Sequence, residues 1–190
     1  MKKQEIILAS SSPRRLELMK KAVEEFKVFP SSFNEQKVKE KVAAKFAVKA
    51  AIGKAKDVGI RHPSSIIIGA DTIVVLNGKI FGKPKNPGDA KRTLSALSGK
   101  THQVITGVAV YKNDEDKLIS SYESTDVIFR RITQKDIRDY ISDETVHDKA
   151  GSYAIQDIGG RFIKAIKGDY DNVVGLPVSL VKQLLKEFQR

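Results

Sequence analysis

Apolar and polar positions along the chain change period several times, and each change marks an element. Glu5 to Ser10 is a short run with an apolar centre, as a buried strand requires. Ser12 then offers an N-cap hydroxyl and Pro13 a first helical residue, and Leu16, Met19 and Val23 recur at helical spacing. Val28 to Ser31 fits a second strand. Lys37 to Val58 is a long helical stretch with Val42, Ala43, Phe46, Ala47, Ala50 and Ala51 on its apolar side. Ser65 to Ala70 is a fully apolar strand, Ile73 to Leu76 continues as a strand, and Asn77-Gly78 is the dipeptide of a tight hairpin turn. Asn86-Pro87 caps a helix that runs through Leu97. Two long strands follow, about Val104 to Lys112 and Leu118 to Ile132, joined by the polar turn Asn113 to Asp116. Thr133 and Asp136 have the spacing of a capping box, Gly151 to Gly175 carries short strands, and Leu176 to Gln189 is an amphipathic C-terminal helix.

Crossover and hairpin connections both occur in this order, so the pattern predicts an α/β chain built on a mixed sheet. A length of 190 residues fits one domain with a sizeable core. No internal repeat, low-complexity tract or Pro/Ser-rich linker divides it. The expectation is a single domain over residues 1–190, with two lobes around a cleft.

Composition narrows the chemistry. Lys and Arg number 34 against 23 Asp and Glu, a net charge of +11. That favours an anionic partner, whether nucleic acid, a membrane surface or a nucleotide phosphate; a solvated lysine-rich surface is the alternative. There is no cysteine, which excludes disulfides, thiolate nucleophiles and Cys-ligated zinc. His62, His102 and His147 are far apart and form no HExxH or HxH pair, so a zinc site is not expected. A catalytic metal would be a hard ion held by carboxylates, with Mg²⁺ the default. No apolar run approaches the ~20 residues of a membrane helix, and Ile6 to Ala9 is too short for a signal peptide. A cytoplasmic protein with no membrane association is expected.

Four segments could carry chemistry. Ser10-Ser11-Ser12-Pro13-Arg14-Arg15 gathers hydroxyls, helix N-terminal N–H groups and two guanidiniums. It reads either as an anion site or as an ordinary N-cap followed by two exposed arginines. It is not a Walker A loop, having no glycines and no GK[ST]. Asp71, in Gly69-Ala70-Asp71-Thr72, stands at the end of the apolar strand, and functional groups of α/β sheets collect at the carboxyl ends of strands. Its carboxylate suits a metal or a water to be deprotonated, or else caps a turn. Lys83, in Gly82-Lys83-Pro84, is a phosphate point charge if it faces a cleft and solvated surface if it does not; Lys54 and Lys56 are equally open. Gln156, after Asp148-Lys149-Ala150-Gly151 and Tyr153-Ala154-Ile155, offers an amide that could read a base edge or bond a loop. His102 reads best as a structural histidine, and no Ser-His-Asp ordering supports a triad.

Taken in order, Leu8 to Arg15, Gly69 to Thr72, Gly82 to Pro84, Leu97 to His102, Asp148 to Gly151, Tyr153 to Gln156, Gly168 to Tyr170 and Gly175 to Pro177 resemble the Maf (septum formation protein) family across nearly the whole chain. The resemblance implies a fold like that of inosine triphosphate pyrophosphatases, an elongated mixed sheet flanked by helices around a deep cleft. It implies hydrolysis of dTTP or UTP, and of modified pyrimidine nucleotides, to the monophosphate and pyrophosphate, with Mg²⁺ or another divalent cation such as Mn²⁺. A cytoplasmic homodimer linked to restraint of cell division is implied as well.

Carried over residue by residue, Asp71 matches the family's proton acceptor and Glu35 its acidic residue after the second strand, both candidate metal ligands. Lys54 matches the helix lysine, and Lys83 the lysine before proline. Ser10, Ser12 and Arg15 belong to the phosphate-binding motif. Arg14, Thr72 and Gln156 resemble the trio of the dTTP/UTP-preferring branch; the 7-methyl-GTP branch commonly has a bulky aromatic in place of Arg14. Asn34 before Glu35 and Asp157 after Gln156 depart from the usual pattern. The alternatives are the same reaction on another base, 7-methyl-GTP or an ITP-like nucleotide, and a non-catalytic nucleic-acid-binding division regulator. Against the last, there is no recognition helix and no aromatic-rich stacking strand, so specific nucleic-acid binding is not expected.

Overall fold

The computed structural model describes residues 4–142, 150–153, 155–156 and 161–190. The strand order is Lys27–Val28 (β2), Ile6–Leu8 (β1), Ile66–Leu76 (β3), Thr101–Lys112 (β5), Lys117–Phe129 (β6) and Ile163–Lys167 (β7), with Lys79–Phe81 (β4) added to β3. The chain divides into two compact units, Met1–Thr72 with Thr106–Glu123 and Gly175–Arg190, and Ile73–Ile105 with Ser124–Val174. Strands β3 (Ile66–Leu76), β5 (Thr101–Lys112) and β6 (Lys117–Phe129) contribute to both.

In the first unit, β1 (Ile6–Leu8) lies parallel to both β2 (Lys27–Val28) and β3, with Leu8 opposite Val28 and Ile68. Parallel strands are covered on both faces, and Ile66, Ile67 and Ile68 have no exposure. Helix α1 (Pro13–Ala22) begins where the Ser12 hydroxyl accepts the Arg15 N–H and Pro13 fills the first turn, as expected from the sequence. It packs against α6 (Val178–Phe188). Helix α2 (Ala43–Gly59) turns Ala51, Ala55 and Val58 to a core with Ile7, Ile67, Ala109 and Tyr111. Two glycines let it come so close. A Cβ on Gly69 would lie 2.2 Å from the Ala51 carbonyl oxygen, and one on Gly107 would lie 2.4 Å from that of Ala47.

In the second unit, β3 turns through Asn77 and Gly78, both at positive φ, into β4 (Lys79–Phe81), with Val74 opposite Phe81. This is the hairpin expected from Asn-Gly. Helix α3 (Pro87–Leu97) starts at Asn86 and α4 (Gln134–Ile141) at a capping box of Thr133 and Asp136. The two helices pack together over Leu94, Leu97, Phe129, Tyr140 and Phe162. β7 (Ile163–Lys167) is antiparallel to β6, and α5 (Tyr170–Val174) follows.

The mixed α/β sheet agrees with the sequence reading, and several boundaries do not. The second strand is Lys27–Val28 rather than Val28 to Ser31, because Ser31 and Ser32 leave the sheet to bond Asp57. Helix α2 starts at Ala43 and not Lys37; the Glu40 carboxylate takes the Lys41 and Val42 N–H groups and so sets its start. Ile66–Leu76 is one strand, running through Asp71 and Thr72 without a break. Residues Tyr170–Val174 form a helix where strands were expected, with Asp169 accepting the Asp171 and Asn172 N–H groups at its start.

Candidate active site

Asp71 stands in β3, on the strand portion belonging to the first unit. It is buried, and its Oδ1 lies 2.7 Å from Lys54 Nζ. Lys54 sits on α2 between Ala51 and Ala55, the residues that Gly69 lets up against β3. Close helix–strand contact, two residues before Asp71, thus selects Lys54 from the many lysines of this helix.

The same Nζ is 2.7 Å from Glu35 Oε1. Glu35 opens a short 3-10 turn capped by the Asn34 side chain. Two contacts hold the preceding segment against α2. Phe33 lies across Gly53, where any Cβ would collide with its ring. Asp57 Oδ2 accepts from the Ser31 hydroxyl and the Ser32 N–H, each at 2.8 Å. Burial pushes the Asp57 carboxyl up, and the bonds from Ser31 and Ser32 with the nearby Arg61 outweigh it, so its pKa falls below the ordinary value. These anchors leave Glu35 and Asp71 on one ammonium.

The second cluster grows from the N-terminus of α1. The buried Ser10 Oγ accepts the Ser12 N–H at 3.2 Å, and Ser12 Oγ accepts the Arg15 N–H. The first turn carries no acid and two arginines. Cations there oppose the helix dipole, an arrangement that an anion would relieve. Among the described residues no protein group holds the half-buried Arg14. Arg15 Nε donates to the Gly175 carbonyl at 2.8 Å and Nη2 to Thr72 Oγ1 at 2.9 Å. Thr72 follows Asp71 directly, so this cluster and the Lys54 pair share one stretch of β3.

Glu35 and Asp71 also suit a hard divalent cation by donor chemistry. Mg²⁺ is commonly held through one or two carboxylates, with substrate phosphates and water completing its shell. Among the described residues no group of three or more Asp, Glu or His gathers, so a metal here would depend on the substrate for further ligands.

Over residues 5–188 the chain matches the family model described as Maf-like protein. The chain belongs to the Maf family. It is 47% identical over 181 residues to a dTTP/UTP pyrophosphatase of Pyrococcus furiosus, covering 95% of this chain and 94% of that one. With a dTTP/UTP pyrophosphatase of Clostridioides difficile the identity is 39% over 183 residues, covering 96% and 94%. Among solved structures, a HAM1 protein from Coxiella burnetii superposes with a TM-score of 0.55 over 97% of this chain and 100% of that one, at 15% identity. That likeness is one of fold, a mixed sheet flanked by helices.

Of the Maf motif residues, Ser10, Ser12, Arg14, Arg15, Glu35, Lys54, Asp71 and Thr72 all fall in the first unit. Lys83 and Gln156 belong to the second. Lys83 is exposed beyond β4, and Gln156 is exposed in a turn. Asp148, Lys149 and Asp157 lie outside the described residues. His102 is buried, with Nε2 2.7 Å from the Tyr153 hydroxyl and its ring against Phe129, the structural role the sequence suggested. Sequence reasoning missed Thr106 and the Gly175 carbonyl as partners of Thr72. A threonine inside the apolar run of β5 was the available signal, since a polar group there needs a partner.

Proposed function

We propose that this chain is a nucleoside triphosphate pyrophosphatase that hydrolyses dTTP or UTP to the monophosphate and pyrophosphate. The observation that carries the reading is the Lys54 ammonium 2.7 Å from both Glu35 and Asp71, one residue along β3 from the Thr72–Arg15 bond. The names of the relatives in Pyrococcus furiosus and Clostridioides difficile support the substrate class.

Triphosphate hydrolysis depends on positioning and on neutralising charge. In this reading Arg15 and the N-terminus of α1 grip phosphate oxygens, with Ser10 and Ser12 shaping that turn. Asp71 orients a water and takes its proton as the water oxygen bonds the α-phosphorus. The bond from that phosphorus to the bridging oxygen breaks, and its electron pair leaves with pyrophosphate. Lys54 holds the Asp71 carboxylate fixed in direction. Lys83 is assigned to the leaving phosphates and Gln156, with Arg14 and Thr72, to the base. A divalent cation such as Mg²⁺ or Mn²⁺, held by Glu35 and Asp71, would supply neutralisation of the phosphate charge. The Maf resemblance further supports a homodimer, a cytoplasmic location and a link to septum formation.

Pyrophosphate release with Mg²⁺ from dTTP, UTP, CTP, GTP, ATP and ITP, run beside Asp71→Asn, tests the reading. Release from dTTP and UTP is expected, with at least a ~100-fold fall in the variant, since general-base loss costs about that much or more. Turnover confined to another base would overturn the base assignment alone. Full activity in Asp71→Asn would overturn the role of Asp71, and silence on every nucleotide would overturn the reaction.

A further inference from the structure

Thr106 has no exposure to solvent. It lies in β5 with its Oγ1 2.9 Å from Thr72 Oγ1. Thr72 Oγ1 is also 2.9 Å from Arg15 Nη2 and 3.3 Å from the Gly175 carbonyl oxygen. That same carbonyl accepts Arg15 Nε at 2.8 Å. A hydroxyl has one proton to give and two lone pairs with which to accept. Arg15 can only donate, and the Gly175 carbonyl can only accept. Thr72 therefore reaches its full complement when its proton points to Gly175 and it accepts from both Arg15 and Thr106. In that arrangement Thr106 decides the direction of the Thr72 proton, and Thr72 with Gly175 fixes one edge of the planar guanidinium. A planar fork loses its advantage in phosphate recognition when its plane is not held.

We propose that Thr106 is a positioning residue for nucleotide recognition, acting through Thr72 and Gly175 to set the plane in which Arg15 meets the substrate phosphates. The proposal rests on the phosphate-binding role given to Arg15 above. Thr106 touches no substrate itself. Its loss changes binding and leaves the Asp71–Lys54 pair as it was.

Steady-state kinetics of Thr106→Val and Thr106→Ser with dTTP test it. The valine keeps the shape and removes the hydroxyl; KM should rise about tenfold, the scale of one hydrogen bond, with kcat within about twofold. Serine restores the hydroxyl and should restore KM. Thr72→Val should raise KM at least as much, since Thr72 is also assigned to the base, and the double variant should show no rise beyond that of Thr72→Val, because Thr106 acts only through Thr72. An unchanged KM in Thr106→Val, a fall in kcat alone, or additive effects in the double variant would overturn the proposal. Should the valine variant not fold, Thr106→Cys, with a weak thiol donor, should give an intermediate KM, and an unchanged one overturns the proposal. A failed pyrophosphatase reading looks different: the wild-type chain then releases pyrophosphate from no nucleotide. Calorimetric titration with dTTP decides Thr106 in that case. Binding about tenfold weaker in Thr106→Val supports it, and equal binding, or none by the wild type, overturns it.

Discussion

Lys54 joins two carboxylates of different burial: its own side chain is 12% exposed, that of Asp71 10% and that of Glu35 41%. The two ends of the pair should therefore respond unequally to substitution. Lys54→Met leaves a largely buried carboxylate facing a second one with no cation, and stranding a buried charge costs about 3 kcal/mol or more. Asp71→Asn removes a charge yet keeps a polar group of the same shape, and Lys54 retains Glu35. Its cost should stay near about 1 kcal/mol, the net worth of a hydrogen bond, because no buried charge is left alone. Urea titration of the two variants checks this, and equal losses would refute the inequality. Legibility at this scale followed the same lines. Asp71 stood out as a carboxylate in an apolar strand. Lys54 did not, because the helix carries many lysines and the choice among them is made by the contact of Ala51 and Ala55 with Gly69. Glu35 was visible only through family resemblance, since Phe33 on Gly53 and the serines on Asp57 are contacts across long separations.

Among the elements, α2 and β3 carry the site between them, and Gly69 sets their distance. Gly69→Ala would press a methyl to 2.2 Å from a backbone carbonyl that cannot yield. A loss of about 3 kcal/mol or more is expected, at or beyond the upper end for overpacking, together with loss of the Lys54–Asp71 geometry. Gly82→Ala meets nothing within 4 Å and serves as the control, with stability within about 0.5 kcal/mol of wild type. A mild effect at Gly69, read by thermal melts, would show that α2 can lift from β3. Elements whose ends are written in local chemistry were readable from sequence: Ser12-Pro13 for α1, Asn86-Pro87 for α3, Thr133 with Asp136 for α4, and Asn77-Gly78 for the hairpin. Those set by distant partners were not. The start of α2 depends on Glu40, which also bonds Lys49, and β2 ends where Asp57 draws Ser31 and Ser32 away.

For the whole molecule, a net charge of +11 grows as pH falls, so acid weakens the fold through general repulsion, and individual groups add steps to that slope. Burial holds the His102 imidazole at about 4, below its ordinary 6.5. The unfolded chain therefore binds a proton that the folded one refuses between these values. Stability from a neutral buried His102 is complete above pH 6.5, falls as pH drops toward 4, and falls no further below it. The difference of pKa corresponds to about 3 kcal/mol across that window. Glu40 acts lower. Lys49 and the backbone N–H groups at the start of α2 bring its carboxyl from 4.5 to about 2, so its contribution is lost only as pH falls between those values. His102 lies in the second unit and Glu40 in the first, so the two losses should register in different residues. Amide exchange followed from pH 7 to 3 should show protection near Phe129 and Tyr153 declining first, and protection at the start of α2 declining later. His102→Gln, which cannot take up a proton in this range, should flatten the first decline and leave the second. Because the variant retains every other charge, the gap between its unfolding curve and that of the wild type isolates His102 from the general repulsion. A gap that stays constant from pH 7 to 4 would mean that the imidazole is protonated in the folded core, against its burial beside Phe129 and Tyr153.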